Sequence, residues 1–364
     1  MTEIKKKRGK KVFVRALSLA ASLFTLVFML FYADLAIKHA RGALFVIANT
    51  LIPSLFPFMV ISDVLQRVGF VSLVGRLFSG PMRRLFGISG AGAGVMLLGM
   101  LCGFPIGAKC AVALYDAGEI SSVECERLIA LSGIPSAAFC VGTVGASLFG
   151  DIRVGAGLYA ICVLSALTVG AIDSRLAKKS PLIRSKKAEY STDFGINELT
   201  EAVSSSAVGV IKISGFVLFF SVLLGVMSEL PFIKKLGEEA VGILFSVFEL
   251  TSGVAKAAAV SDGTRALTIA AFALGWSSLS IHFQIMSVAS GRGLGFSRYF
   301  LLKLAVGALS AALAFAWATL CPISINKSSG ALLASGMPSQ LSAVILGVFC
   351  LSLIIAIAKK AKSW

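Results

Sequence analysis

The chain has 364 residues, 57% hydrophobic and only 14% charged, with a mean hydropathy of +0.90. Soluble domains carry about 25% charged residues, and many windows here exceed the ~20 apolar residues that one spanning helix needs, so the composition excludes a soluble domain. The net charge of +16 does not argue for nucleic acid, because the Lys and Arg residues fall in short loops and at the termini, where topogenic charge belongs.

The basic stretch 2–15 precedes an apolar run, Ala16 to Tyr32, long for a signal peptide and without a clear cleavage site. It reads as a first helix with a cytoplasmic N-terminus. Ala43 to Leu65 is a second span, kinked or partly unwound by Asn49, Pro53 and Pro57. Apolar residues at helical spacing between Arg67 and Arg84 predict a surface helix. Ser89 to Leu114 contains Leu101-Cys102-Gly103-Phe104-Pro105-Ile106-Gly107-Ala108-Lys109. Proline removes a backbone donor and glycine loosens a helix, so an ionisable group beside such a break at membrane depth marks a solute site. The competing reading is a packing kink whose lysine reaches the headgroups.

The flank Gly90 to Gly94 is small enough for close helix contact. Ser121-x-x-Glu124 is a capping-box pattern that starts a helix. The break Ser132 to Ser136, with Pro135, then predicts a re-entrant hairpin over 128–150, and Val154 to Ile172 an ordinary span. The polar stretch that follows reads as a cytoplasmic linker. Beyond it lie spans at Val203 to Met227, Ala240 to Val260 (with Glu249, Thr251, Ser252 and Lys256), Thr264 to Ser290 (with Trp276, Ser277, Ser278, His282 and Gln284), Tyr299 to Leu320 and Leu341 to Ala358. Arg292, Arg298 and Lys303 read as cytoplasmic markers, like the basic C-terminal tail.

The two halves can be laid on each other. Gly107-Ala108-Lys109 matches Val254-Ala255-Lys256, and the break at Ser132 to Ser136 matches Gly275 to Ser280. The basic loops orient the copies oppositely, provided 128–150 and 266–290 each enter and leave on one face. The expected fold is an all-α polytopic membrane protein with an inverted repeat, broken or re-entrant helices and about eight spans plus hairpins. Its segments are 1–40 (tail and first helix), 41–177 (first repeat), 178–202 (linker), 203–321 (second repeat) and 322–364 (polar loop, last span, tail).

Interrupted helices facing each other across such a repeat form transporter sites. The candidate solute contacts are Gly103, Phe104, Pro105, Gly107, Lys109, Ser132, Pro135, Ser136, Glu249, Thr251, Ser252, Lys256, Trp276, Ser277, Ser278, His282 and Gln284. Lys109 and Lys256 supply charge from matching places. Glu249 is available to pair with either lysine, to carry a coupling proton or to help bind Na⁺, and each serine to pack helices or to hydrogen-bond a polar solute. The seven cysteines form no Cys-x-x-Cys pair and read as buried hydrophobes. Hydrolase, metalloprotease, P-loop and dinucleotide motifs are absent, so no enzyme, metal or cofactor is expected. The partners are the lipid bilayer, a small polar solute and a second copy of the chain.

Gly103-Phe104-Pro105-Ile106-Gly107-Ala108-Lys109, Gly118-Glu119-Ile120-Ser121, Glu126-Arg127-Leu128, Pro135-Ser136 with Phe139, Gly142 and Gly145, and Leu51-Ile52-Pro53-Ser54-Leu55-Phe56-Pro57-Phe58 together resemble the YlbJ-type sporulation integral membrane proteins. The resemblance covers roughly residues 40 to 320 and implies the nucleoside-recognition Gate domain, shared with concentrative nucleoside transporters. Phe104 and Ile134 stand where that family has Tyr and Asn. It also implies a role in spore formation and fixes no substrate; together with the broken helices, the expected function is a secondary-transporter-like permease for a small polar, nucleoside-like solute. The alternative is a non-transporting scaffold for spore cortex or coat assembly.

Overall fold

The computed structural model describes residues 2–176 and 195–321, and all described regular structure is helical. The first part comprises α1 (Thr2–Phe31), α2 (Ala33–Val46), α3 (Ile52–Arg67), α4 (Phe70–Pro81), α5 (Ala91–Cys102), α6 (Ile106–Asp116), α7 (Ser122–Ser132) and α8 (Ile152–Leu176). Wider π-helical turns fill 47–51, 82–86 and the half-helix Phe139–Phe149. The second part comprises α9 (Ile196–Met227), α10 (Pro231–Lys234), α11 (Glu238–Phe248), α12 (Leu250–Ala259), α13 (Gly263–Trp276), α14 (Ser278–Ala289) and α15 (Ser297–Leu320). Helix α9 therefore begins inside the stretch expected as linker. The expected last span, 341–358, lies outside the described residues.

Polarity is inverted relative to a water-soluble protein. Ser132, Ser277, Ser278, Ser280, His282 and Lys303 are fully enclosed, while Leu164, Ile211, Leu301 and Phe315 are exposed. In lipid the outward apolar surface is already solvated, and polar side chains turn toward the bundle interior.

Two contacts orient the long helices α8 and α15. Asp173, in the last turn of α8, pairs with Arg298, in the first turn of α15, at 2.6 Å. Near the opposite ends, Gly157 lies under the Trp317 ring. The two helices are antiparallel, so the closing spans of the two repeats run in opposite directions.

Residues 122–149 follow α8 along its whole length in reverse. Arg127 faces Asp173 at 3.2 Å, Leu131 covers Gly170, and Gly145 touches Gly155. A 25-residue helix is about 37 Å long, so this segment crosses the bundle from the Asp116 face to the Asp151 face. Helices α13 and α14 do the same along α15, from Gly275 on Ser310 to His282 on Tyr299. The re-entrant hairpins expected at 128–150 and 266–290 are thus broken crossings.

The hairpins are elsewhere. Helix α5 starts where the Ser89 N–H reaches the Glu124 carboxylate, and α6 ends where Asp116 meets Arg292 at 2.7 Å, on the same face. Helices α11 and α12 likewise begin and end together, where Glu238 accepts the Ser261 N–H at 2.8 Å. Arms of 10–12 residues are about 15–18 Å long, half of a ~30 Å hydrocarbon core. They can only enter and return. Hairpin one turns at Gly103-Phe104-Pro105 and hairpin two at Glu249.

By length and composition, four described helices or helix pairs can cross a membrane, or six if each bent pair counts as one span; the expected eight is not reached among the described residues. The expected surface helix is α4, bent 73° from α3. It does more than lie at an interface. Val71 and Gly75 press onto Gly94 and Gly90 of the first hairpin, while Leu73, Leu77 and Phe78 remain exposed. Ser121 caps α7, accepting the Glu124 N–H at 3.2 Å.

Candidate functional site

Each hairpin tip abuts the break of its own repeat's crossing. Gly103 has φ 79° and ψ −171°, a region that essentially only glycine occupies. A Cβ there would lie 2.6 Å from the Ser136 N. Gly107 packs directly on the Ser132 side chain. Ser132 spends its hydroxyl on the Leu128 carbonyl at 2.6 Å, and Ser136 accepts the Phe139 N–H at 3.2 Å to start the second half-helix. Pro135 is buried between them.

At hairpin two, the buried Glu249 carboxylate accepts the Thr251 N–H at 3.0 Å and the Ser252 N–H at 2.7 Å. The positive end of α12 is thereby neutralised from within. Glu249 forms no ion pair with Lys109 or Lys256. Trp276, at the second break, donates from Nε1 to the Val247 carbonyl at 3.3 Å.

The two breaks meet. Gly133 leaves the helical conformation at the end of α7. Its carbonyl receives the Ser277 hydroxyl at 3.4 Å and the Lys303 ammonium, which arrives from α15. Ser277 and Ser278 both hold positive φ, 77° and 63°. Such backbone costs about 1–3 kcal/mol per non-glycine residue and clusters at functional sites.

Past this break, α14 carries buried polar atoms with no hydrogen-bond partner among the described residues: Ser278 Oγ, Ser280 Oγ, His282 Nε2 and both amide atoms of Gln284. His282 uses its other nitrogen on the Tyr299 hydroxyl at 2.7 Å and lies edge-on to Trp276. Ser278 and His282, and likewise Ser280 and Gln284, are one helical turn apart and form two adjacent polar stripes. We predict that Ser278→Gly raises the thermal stability of the purified protein by about 1 kcal/mol, because it relieves the left-handed backbone without losing a hydrogen bond. A lowered midpoint in a melting curve would show instead that the Ser278 hydroxyl has a structural partner.

The two expected lysines diverge. Lys109 binds Asp63 and Ser205, each at 2.8 Å, in a chain that continues through Arg67 to Glu201 and joins α6, α3 and α9. Lys256 is exposed, its ammonium 5.6 Å above the Phe245 ring. Lys303, expected as a cytoplasmic marker, is fully enclosed at the centre, 5.9 Å from the Phe104 ring. Its signal was available: it falls within the apolar run that begins at Tyr299.

The Asp116 face is tied across the repeats. Arg292 grips Asp116, Glu126 accepts the Gly295 N–H at 2.6 Å, and Asp173 joins Arg127 to Arg298. Arg292 donates to the Asp116 carboxyl and holds it below the usual carboxylate range. That tie contributes fully above this range and is lost as pH falls through the lowered value. On the opposite face, the matching connection offers Asp151, which pairs with Arg153 of its own repeat.

Residues 48–152 match the family model described as Gate, nucleoside recognition. The Gate-matched segment runs from the turn before α3, through hairpin one and the first broken crossing, to the start of α8. The chain is also similar to the sporulation integral membrane protein YlbJ of Bacillus subtilis (strain 168), at 28% identity across 81% of this chain and 82% of the relative. No solved structure matches the chain. The Gate match and the lipid-facing helices agree on a multi-pass membrane protein.

Proposed function

We propose that this protein is a secondary-transporter-like permease for a small polar solute of the nucleoside kind, working in a membrane of a sporulating cell. The observation that carries the reading is the set of unpartnered buried polar atoms on α14, beside the point where two broken helices cross. An unsatisfied buried polar group costs about 1–3 kcal/mol, and native structures leave few of them. Gln284 offers both a donor and an acceptor, as the edge of a base requires, and the serines can donate to or accept from sugar hydroxyls. The repeat inversion supplies the usual frame for alternating access. The Gate match points to the same solute class. By the positive-inside rule we take the arginine-rich Asp116 face, with Arg83, Arg84, Arg292 and Arg298, as the cytoplasmic one, and both termini are proposed to lie on that side.

The test is a melting-point screen of the purified protein against nucleosides, amino acids and buffer alone. A nucleoside at 100 times its Kd is expected to stabilise the folded state by about 2.7 kcal/mol, and Gln284→Leu to abolish that shift while remaining folded. The same variant is expected to stop uptake into proteoliposomes. No shift with any nucleoside, together with normal sporulation of a Gln284→Leu strain, would reject the permease reading in favour of a membrane scaffold.

A further inference from the structure

A charged side chain is costly at the centre of a bilayer and is normally paired there. Lys109 obeys this rule through Asp63, and Lys256 and Lys212 are exposed. Lys303 is different. It is fully enclosed, and among the described residues it forms no ion pair with any Asp or Glu. Its ammonium donates to the Gly133 carbonyl and stands 5.9 Å from the Phe104 ring. The nearest titratable neighbours from the packed elements are Cys162 on α8 and His282 on α14, neither of which is a carboxylate.

The partner atoms define what belongs in that position. Gly133 is released from helical geometry, so its carbonyl lacks the following turn that would otherwise use it. Unwound carbonyls of this type, in broken helices, are the groups that coordinate coupling cations in inverted-repeat transporters. The Phe104 face adds a second attraction for positive charge. A carbonyl and an aromatic ring therefore face one positive charge at the junction of hairpin one with both breaks, and the Ser277 hydroxyl donates to the same carbonyl.

We propose that the Lys303 ammonium is a built-in cation at this junction, filling the position a coupling Na⁺ would take, so that solute movement by this chain does not depend on Na⁺. The inference rests on the permease reading for the term coupling. The occupancy of the site can be tested without any transport.

The experiment compares thermal unfolding of the purified full chain in sodium, potassium and choline chloride at equal ionic strength. Wild-type midpoints are expected to coincide. Lys303→Ala removes the ammonium and opens space beside the Gly133 carbonyl, and is expected to acquire a saturable, Na⁺-specific rise of several degrees. Lys303→Met fills the space without charge and is expected to stay insensitive. A saturable Na⁺-specific rise in the wild type overturns the proposal, as does a folded Lys303→Ala protein with no response to Na⁺. If Lys303→Ala does not fold, the wild-type comparison decides alone. Proteoliposome uptake separates the two readings: uptake that requires a Na⁺ gradient sinks the built-in cation and keeps the permease. A cation response as described, without uptake of any solute, sinks the permease and keeps the cation.

Discussion

Gly103→Ala is expected to lower the stability of the purified protein by about 2–6 kcal/mol. Two costs combine. The backbone at φ 79°, ψ −171° is nearly closed to any residue with a Cβ, at about 1–3 kcal/mol. The added carbon also lands 2.6 Å from the Ser136 N and 2.9 Å from its Cβ, and overpacking of this kind costs about 1–3 kcal/mol more. The tip cannot retreat without uncovering the break in the first crossing. Gly118→Ala is the control. It has a similar φ of 71°, but open space around its position, so only the left-handed backbone cost of about 1–2 kcal/mol remains. If the two variants melt together, the contact between hairpin tip and broken crossing is not what fixes Gly103.

Asp173→Ala is expected to cost about 3–5 kcal/mol, the range for removing one partner from a buried pair. Asp173 is shared by Arg127, whose side chain is only 4% exposed, and Arg298. Without it, the Arg127 charge has no nearby compensation of that quality, and α7, α8 and α15 lose their common anchor. The double variant Asp173→Ala/Arg127→Met removes the stranded charge and is expected to recover a substantial part of the loss. Chemical denaturation of the three proteins measures this directly. A double variant no more stable than the single one would show that the damage is lost packing rather than unpaired charge.

Much of the site was visible in the sequence because special backbone demands special residues. Gly103, Pro105 and Gly107 mark a broken helix, Ser132 to Ser136 a second break, and Gly90 to Gly94 a close helix contact. Buried Glu249 stood out as a carboxylate in an apolar run. What remained hidden is directional. The two kinds of interruption, tip and crossing, have the same composition and differ only in arm length and in which neighbour they follow. Lys303 reads with Arg292 and Arg298 because topogenic charge is counted along the chain, whereas its burial depends on which side of α15 faces Gly133. Asp63 has a local partner one turn later in Arg67, and only the fold, through α6, brings Lys109 to it.

The opposed hairpins impose a rule of parity on the connection between them. Helix α8 ends on the Asp116 face, yet hairpin two must be launched from the other face. An odd number of membrane passages has to intervene, and α9 is that passage: Glu201 at its start lies by Arg67, and Gly225 near its end lies by His39. Excising α9 would leave α10 to α15 intact but turn them upside down, with their hairpin entering alongside the first. A helix that belongs to neither hairpin therefore decides whether two copies of one motif can oppose each other at all.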